Sequence, residues 1–226
     1  MRIRNFQALR PSEAEAPKVS APPYDVVSTE EARAIASDNP LSLLHVSRAE
    51  IDFPKGQDPH ADCVYGKAVE NFKKLVADGH LKKEDKPCLY LYEQQLGSHK
   101  QFGIVALCMV EEYDNGTIRK HEKTRKDKED DRTRLTGDTS ANLGPVFLTY
   151  RDDAAIDAVV KKVASGKPLF DFTAEGGVTH RGWKIEGGED VIQLFAKIPR
   201  SYIADGHHRA ASAARVGRSR REANPH

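Results

Sequence analysis

Residues 202–209 read Tyr202-Ile203-Ala204-Asp205-Gly206-His207-His208-Arg209, and this stretch decides the fold class. The segment Arg200 to Asp205 has the character of a strand. An Asp-Gly turn follows, and HHRAASAARVG then reads as a helix with Gly217 as its stop. Ala210, Ala211, Ala213 and Ala214 are small enough to let that helix lie close on a sheet. A strand feeding straight into a helix belongs to a mixed α/β architecture. The first helical turn carries two histidines and an arginine. Free backbone N–H groups and the positive dipole end make such a turn a ready anion site. Gly206 allows close backbone approach, and Arg209 can grip phosphate oxygens with both arms of its fork. Asp205 can hold Mg²⁺ or orient His208. The alternative is an Asp-capped helix with surface histidines. The following run, RVGRSRRE, is either a DNA-binding stripe or a solvated tail.

Working outward, 3–11 reads as a strand closed by Pro11. The loop APPYDVVS (21–28) leads to a helix over 29–37, because Ser28 and Glu31 have capping-box spacing. SLLHVSR (42–48) reads as an apolar strand. Residues 59–78 read as a helix, capped by Asp58 and stopped at Gly79, with Val64, Ala68, Phe72, Leu75 and Val76 on one face. Strands over 88–96 and 102–113 join through GSHK as a hairpin, and Asp114-Asn115-Gly116 signals a second one. Then come a buried strand over 144–151, a helix over 153–164, and antiparallel strands PLFDFTA and VTHRGWKI joined at Gly176-Gly177. A further helix near 188–197 leads into the strand before Asp205.

The chain has 226 residues, enough for one large domain or two small ones. Lys and Arg total 35 against 34 Asp and Glu, a net charge of +1 that argues against nucleic-acid binding. No stretch approaches the roughly 18 apolar residues of a membrane span. The N-terminal residues lack the apolar run of a secretory signal. Cys63, Cys88 and Cys108 are scattered, which disfavours a disulfide framework or zinc ribbon. Cys88 and Cys108 lie in apolar runs and are expected as core thiols in a reducing cytoplasm. The chain stops just after a helix, as the N-terminal portion of a longer protein would.

The Asp-Gly-His-His-Arg turn resembles the phosphate-binding motif of the ParB/sulfiredoxin superfamily. Free-serine kinases of that superfamily are similar in carrying Asp-Gly-x-His, matched here by Asp205, Gly206 and His208. His207 stands where sulfiredoxins carry their reactive cysteine, which excludes sulfinic reductase chemistry on that alignment. No helix-turn-helix of the ParB kind follows. APPYDVVS, SLLHVSRAEID, KHEKTR, ANLGPVFLTYR and YIADGHHRAASAA, in this order, resemble a bacterial and archaeal family, domain-of-unknown-function family ten-fifteen. Its members are typically longer. The resemblance implies a mixed α/β fold: a ParB/sulfiredoxin-like nucleotide-binding core with long insertions, its mixed sheet flanked by helices. The core would draw on the N-terminal strand region and residues near 140–217. Residues 59–138 would form an inserted helix-plus-hairpin subdomain within a single domain over 1–226.

The superfamily motif implies a nucleotide-dependent phosphotransferase acting on a small hydroxylated metabolite, with ATP or ADP and Mg²⁺. Gly206, His207, His208 and Arg209 would hold the phosphates, and Asp205 the metal ion or His208. Such a reaction needs a carboxylate for the hydroxyl and cations for the phosphoryl charge. Lys120-His121-Glu122-Lys123-Thr124-Arg125 offers Glu122 as base and Lys123 or Arg125 for the phosphates, or is a solvated charged loop. The prolines before Tyr24 and Asp25 either present them to substrate or make a rigid turn. Arg48 can meet a substrate carboxylate or make a surface ion pair. His180 and Trp183 can line a pocket, although Trp183 suits a core better. A non-catalytic nucleotide-binding module is the alternative. A nucleic-acid-binding protein of ParB descent, acting through Arg215, Arg218, Arg220 and Arg221, is a third reading.

Overall fold

The computed structural model describes residues 1–224, which form a mixed α/β structure. The chain divides into two compact units. The first comprises residues 1–17, 82–122 and 146–206; the second comprises 18–81, 123–145 and the described residues from 207 onward.

The first unit is built on an antiparallel sheet of four strands among the described residues: β4 (Leu89–Leu96), β5 (His99–Val105), β9 (Phe170–Thr173) and β10 (Thr179–Ile185), in the order β5-β4-β10-β9. Period-two alternation sends Leu89 and Leu91 to one face, and the register sets Ile185 and Trp183 directly opposite them. Helices α7 (Ala154–Ala164) and α8 (Glu189–Ala196) supply Ile156, Val191 and Phe195 to the same core. Asp153 caps α7 by accepting from the amides of Ala155 and Ile156. Trp183 is buried here, its indole N–H donating to Gly166 O at 3.0 Å. On the opposite face of β10, the Phe170 ring covers Gly182 so closely that a Cβ there would overlap it.

A smaller mixed sheet completes this unit. β11 (Ser201–Asp205) runs parallel to β7 (Ile118–Arg119) and antiparallel to β8 (Phe147–Thr149). Short pairings of β1 (Ile3–Arg4) with β6 (Leu107–Cys108), and of β2 (Leu9–Arg10) with β3 (Lys82–Lys83), tie in the first residues.

The second unit is helical. It contains α2 (Thr29–Ala36), α3 (Leu44–Ser47), α4 (Asp62–Ala77), α6 (Lys126–Thr139) and α9 (His207–Ala223). A short helix α1 (Ala16–Val19) spans the division. Ser28 and Glu31 form the expected capping box, with Ser28 N–H donating to the Glu31 carboxylate at 2.8 Å. Apolar clusters around Leu44, Val46 and Tyr65 join α2, α3 and α4.

Several expected elements differ. SLLHVSR is not a strand: Leu44 and Val46 sit on the short helix α3 and enter separate clusters, which a single helical turn allows. Four residues are too few for periodicity to tell the two apart. Helix α4 starts at Asp62, because Asp58 closes a local turn onto the His60 amide at 2.9 Å instead of capping. The strand expected over 102–113 ends at Val105; Leu107–Cys108 forms the separate strand β6, and α5 (Val110–Asp114) follows, with Glu112 buried and accepting from Arg2 N–H at 2.8 Å. Asp114-Asn115-Gly116 closes α5 rather than a hairpin, and β7 then pairs in parallel with β11. The strand β8 is short and leaves Phe147 41% exposed. Gly217 does not stop α9, which continues to Ala223 because Arg220 donates to Gly137 O and Ser140 Oγ on α6 and its C-cap. Cys88 is buried, but Cys108 is exposed on β6. Among the described residues no helix is long and apolar enough to cross a membrane.

Candidate functional site

The Asp-Gly-His-His-Arg turn forms as its residue types dictate. β11 ends at Asp205, Gly206 takes φ +89°, and α9 begins at His207. That positive φ favours glycine, since a Cβ is crowded there. Asp205 is exposed, and with Gly206 it belongs to the first unit; His207, His208 and Arg209 belong to the second. Glu122 is likewise an exposed residue of the first unit, whereas Lys123 and Arg125 belong to the second.

Within the second unit, α9 and α6 run side by side in the same direction. Ser212 Oγ donates to Glu129 O at 3.2 Å, and eight residues further along each helix Arg220 donates to Gly137 O at 3.1 Å. Their N-termini therefore lie together. The junction is a hydrogen bond from the Arg125 N–H, at the N-cap of α6, to His208 Nε2 at 3.0 Å. Two parallel helices add their positive dipole ends at this point. The first turn of α9 carries no acidic residue. His207 is buried there, and the Arg209 guanidinium donates to Pro145 O while its stem packs against Gly144.

Arg48 holds the APPYDVVS loop. It donates from Nε to Glu50 Oε1 at 2.7 Å, from Nη1 to Tyr24 O at 2.7 Å and Val27 O at 3.0 Å, and from Nη2 to Thr29 Oγ1 at 2.8 Å. Its donors thus face the protein, and Glu50 is buried beneath them. The clamp fixes Tyr24, whose ring lies 4.0 Å from the Arg132 guanidinium. The Tyr24 hydroxyl is buried and has no hydrogen-bond partner among the described residues. Burial pushes its pKa above the ordinary phenol value, against the pull of the Arg132 and Arg209 charges. Asp25, beside it, is exposed.

Asp131 and Arg132 of α6 belong to this neighbourhood, although so charged a stretch reads in the sequence as a solvated loop. Asp131 accepts from Tyr65 OH at 2.6 Å and pairs with Arg132 at 2.5 Å. A cavity of about 20 Å³, lined in part by Glu50, Tyr65, Asp131 and Arg132, has room for one water-sized group. Their trace in the sequence is the consecutive run Asp130-Asp131-Arg132, which has no meaning without knowing what packs on it.

Other expected positions lie elsewhere. His180 is in the first unit, stacked between Tyr92 and Phe172, and burial lowers its pKa. Arg215 is paired with Glu129 at 3.1 Å and Asp130 at 2.7 Å, so α6 and α9 share these charges. Among the described residues no group of three or more His, Cys, Asp or Glu side chains is arranged to hold a metal ion, and Asp205 stands in no such group. The family described as "Protein of unknown function (DUF1015)" matches residues 3–226, and the chain belongs to it. No curated protein and no solved structure matches the chain.

Proposed function

We propose that this member of the family is a nucleotide-dependent phosphotransferase whose phosphate site is the start of α9. The observation that carries the reading is the pairing of two helix N-termini, α6 and α9, through the Arg125 amide and His208. Polyphosphate is the ligand such a junction favours, because backbone N–H groups and two dipole ends converge on one place. Arg209 is the cation of that turn, with Arg125 and Lys123 on the neighbouring segment. The likeness of Asp-Gly-His-His-Arg to the phosphate turn of the ParB/sulfiredoxin superfamily, with its free-serine kinases, supports the same assignment.

The orphaned Tyr24 hydroxyl supports a second ligand group nearby. A buried hydroxyl without a partner costs about 1–3 kcal/mol, a deficit that a bound oxygen would remove. Asp25 is the carboxylate on the same clamped loop, suited to orient a small hydroxylated substrate. Mg²⁺ would arrive with the ATP or ADP as its counter-ion.

A thermal-shift comparison of wild type, Arg209→Ala and Tyr24→Phe tests the proposal, using ATP, ADP, CTP and GTP with and without Mg²⁺. A nucleotide at about 100 times its Kd stabilises by about 2.7 kcal/mol. For a chain of this size that is a rise of roughly 5–11 °C. The rise should vanish in Arg209→Ala and persist in Tyr24→Phe, whose defect should show in substrate turnover. If no nucleotide moves the midpoint, or Arg209→Ala responds like wild type, the phosphate site is wrongly placed.

A further inference from the structure

The bond between the two helix starts has a property of its own. An amide N–H can only donate, so the ring nitrogen facing Arg125 must accept. His208 Nε2 therefore carries no proton, and in the neutral ring the proton sits on Nδ1. Protonation would turn Nε2 into a donor facing a donor, and the bond would break.

The Arg125 backbone is tied to the first turn of α9 through the His208 ring. The Arg125 guanidinium is turned to Asp127, with Nη2 at 2.6 Å from its carboxylate. Ser212 Oγ, which donates to His208 O at 2.6 Å, joins the helices one turn further in. The charged and titratable groups closest in the chain to the two ends of this bond are Lys123, Arg125, Lys126, Asp127 and Glu129 on α6 and its approach, and His207 and Arg209 on α9.

We infer that His208 is a positioning residue: a latch, closed only by the neutral imidazole, that holds the start of α6 against the first turn of α9. Its functional consequence rests on the phosphate-site reading above, since an opened latch would separate the two helix ends that make the site. With the latch closed, Nδ1–H is the ring's donor, so His208 is suited to give a hydrogen bond to a phosphate oxygen rather than to accept a proton through Nε2.

The test is residue-resolved amide exchange of Arg125 on the whole chain, expressed as protection relative to the free peptide. Wild type should lose about five- to tenfold in protection between a pH at which the imidazole is neutral and one at which it is charged, the weight of one hydrogen bond. His208→Gln places a carbonyl oxygen near the Nε2 position and should stay protected at both pH values. His208→Asn reaches only as far as Nδ1 and should be unprotected at both. The ¹⁵N shifts of the wild-type ring give an independent reading that needs no variant, and should show Nδ1 protonated and Nε2 bare. The opposite tautomer, or protection that ignores pH in wild type, overturns the inference. Nucleotide binding is scored separately. A confirmed latch with no nucleotide shift sinks only the phosphate site, whereas an Arg209-dependent nucleotide shift without the latch sinks only the inference made here.

Discussion

Replacing Arg48 with methionine should unfold the helical unit far more readily at neutral pH than at mildly acidic pH. Arg48→Met keeps much of the stem's packing and removes every donor of the clamp. Four hydrogen bonds go with it, to Glu50, Tyr24, Val27 and Thr29. The dominant effect is on Glu50, which is 4% exposed and would be left as a buried charge without its cation. Breaking such a pair typically costs about 3–5 kcal/mol. The stranded carboxylate can escape by taking up a proton, which sets a ceiling. From an ordinary glutamate value near 4.3, protonation at pH 7 costs about 3.7 kcal/mol, and at pH 5 only about 1 kcal/mol. The variant should therefore lose about 4 kcal/mol at pH 7, a drop of roughly 8–16 °C in Tm, and about 1–2 kcal/mol at pH 5. Urea unfolding followed by far-UV circular dichroism at both pH values measures the gap to wild type. Adding Glu50→Gln removes the charge, so the double variant's gap should no longer depend on pH. A gap under about 1 kcal/mol at pH 7, or one equal at the two pH values, would refute the claim that Arg48 exists to neutralise Glu50 and clamp the loop.

Two further outcomes follow from local geometry. His45 places Nδ1 2.7 Å from Asp52 Oδ1 and Nε2 3.2 Å from Asn39 O, both acceptors, so only the imidazolium satisfies both contacts. The Asp52 hydrogen bond raises the His45 pKa against the opposing effect of burial. Its contribution is complete below the unfolded value near 6.5 and is lost as pH rises through the higher folded value. For Asp52, burial works upward, but the hydrogen bonds from His45 and Asn71 outweigh it and lower the pKa. That contribution is present above about pH 3.9 and lost as pH falls through the lowered value. His45→Gln should cost about 1.5–3 kcal/mol near pH 6 and flatten the decline of stability above it; an unchanged pH profile would contradict the pairing. Gly182→Ala should destabilise the first unit by about 1–3 kcal/mol through overlap with Phe170, and Phe170→Leu should relieve much of that; a neutral Gly182→Ala would show that the ring can move aside.

Local chemistry made much of the secondary structure legible. The Ser28–Glu31 box, the Val64–Leu75 stripe of α4, and the turns after Leu96 and at Gly176-Gly177 each settle within a few residues. The strand–Asp-Gly–helix junction at 205–207 did so as well, because one backbone angle there calls for glycine. The errors fell where the deciding partner is distant in the chain. Leu44 and Val46 look like a strand until their two clusters are known, and Gly217 looks like a stop until Arg220 finds the end of α6.

By itself the sequence determined the mixed α/β class, the family, and the strand–Asp-Gly–helix junction at the start of α9. Those depend on residue types at short spacing. Only the tertiary structure decided that α6 lies parallel to α9 with their N-termini joined, that Arg48 faces the loop it clamps, and that Tyr24 keeps a buried hydroxyl with no partner among the described residues. A helix as charged as α6 carries no apolar stripe to announce its neighbour. Its place is set by hydrogen bonds and ion pairs to residues some 80 positions away, such as Arg215 with Asp130, 85 residues apart, and pairings of that kind leave no periodic trace in the chain.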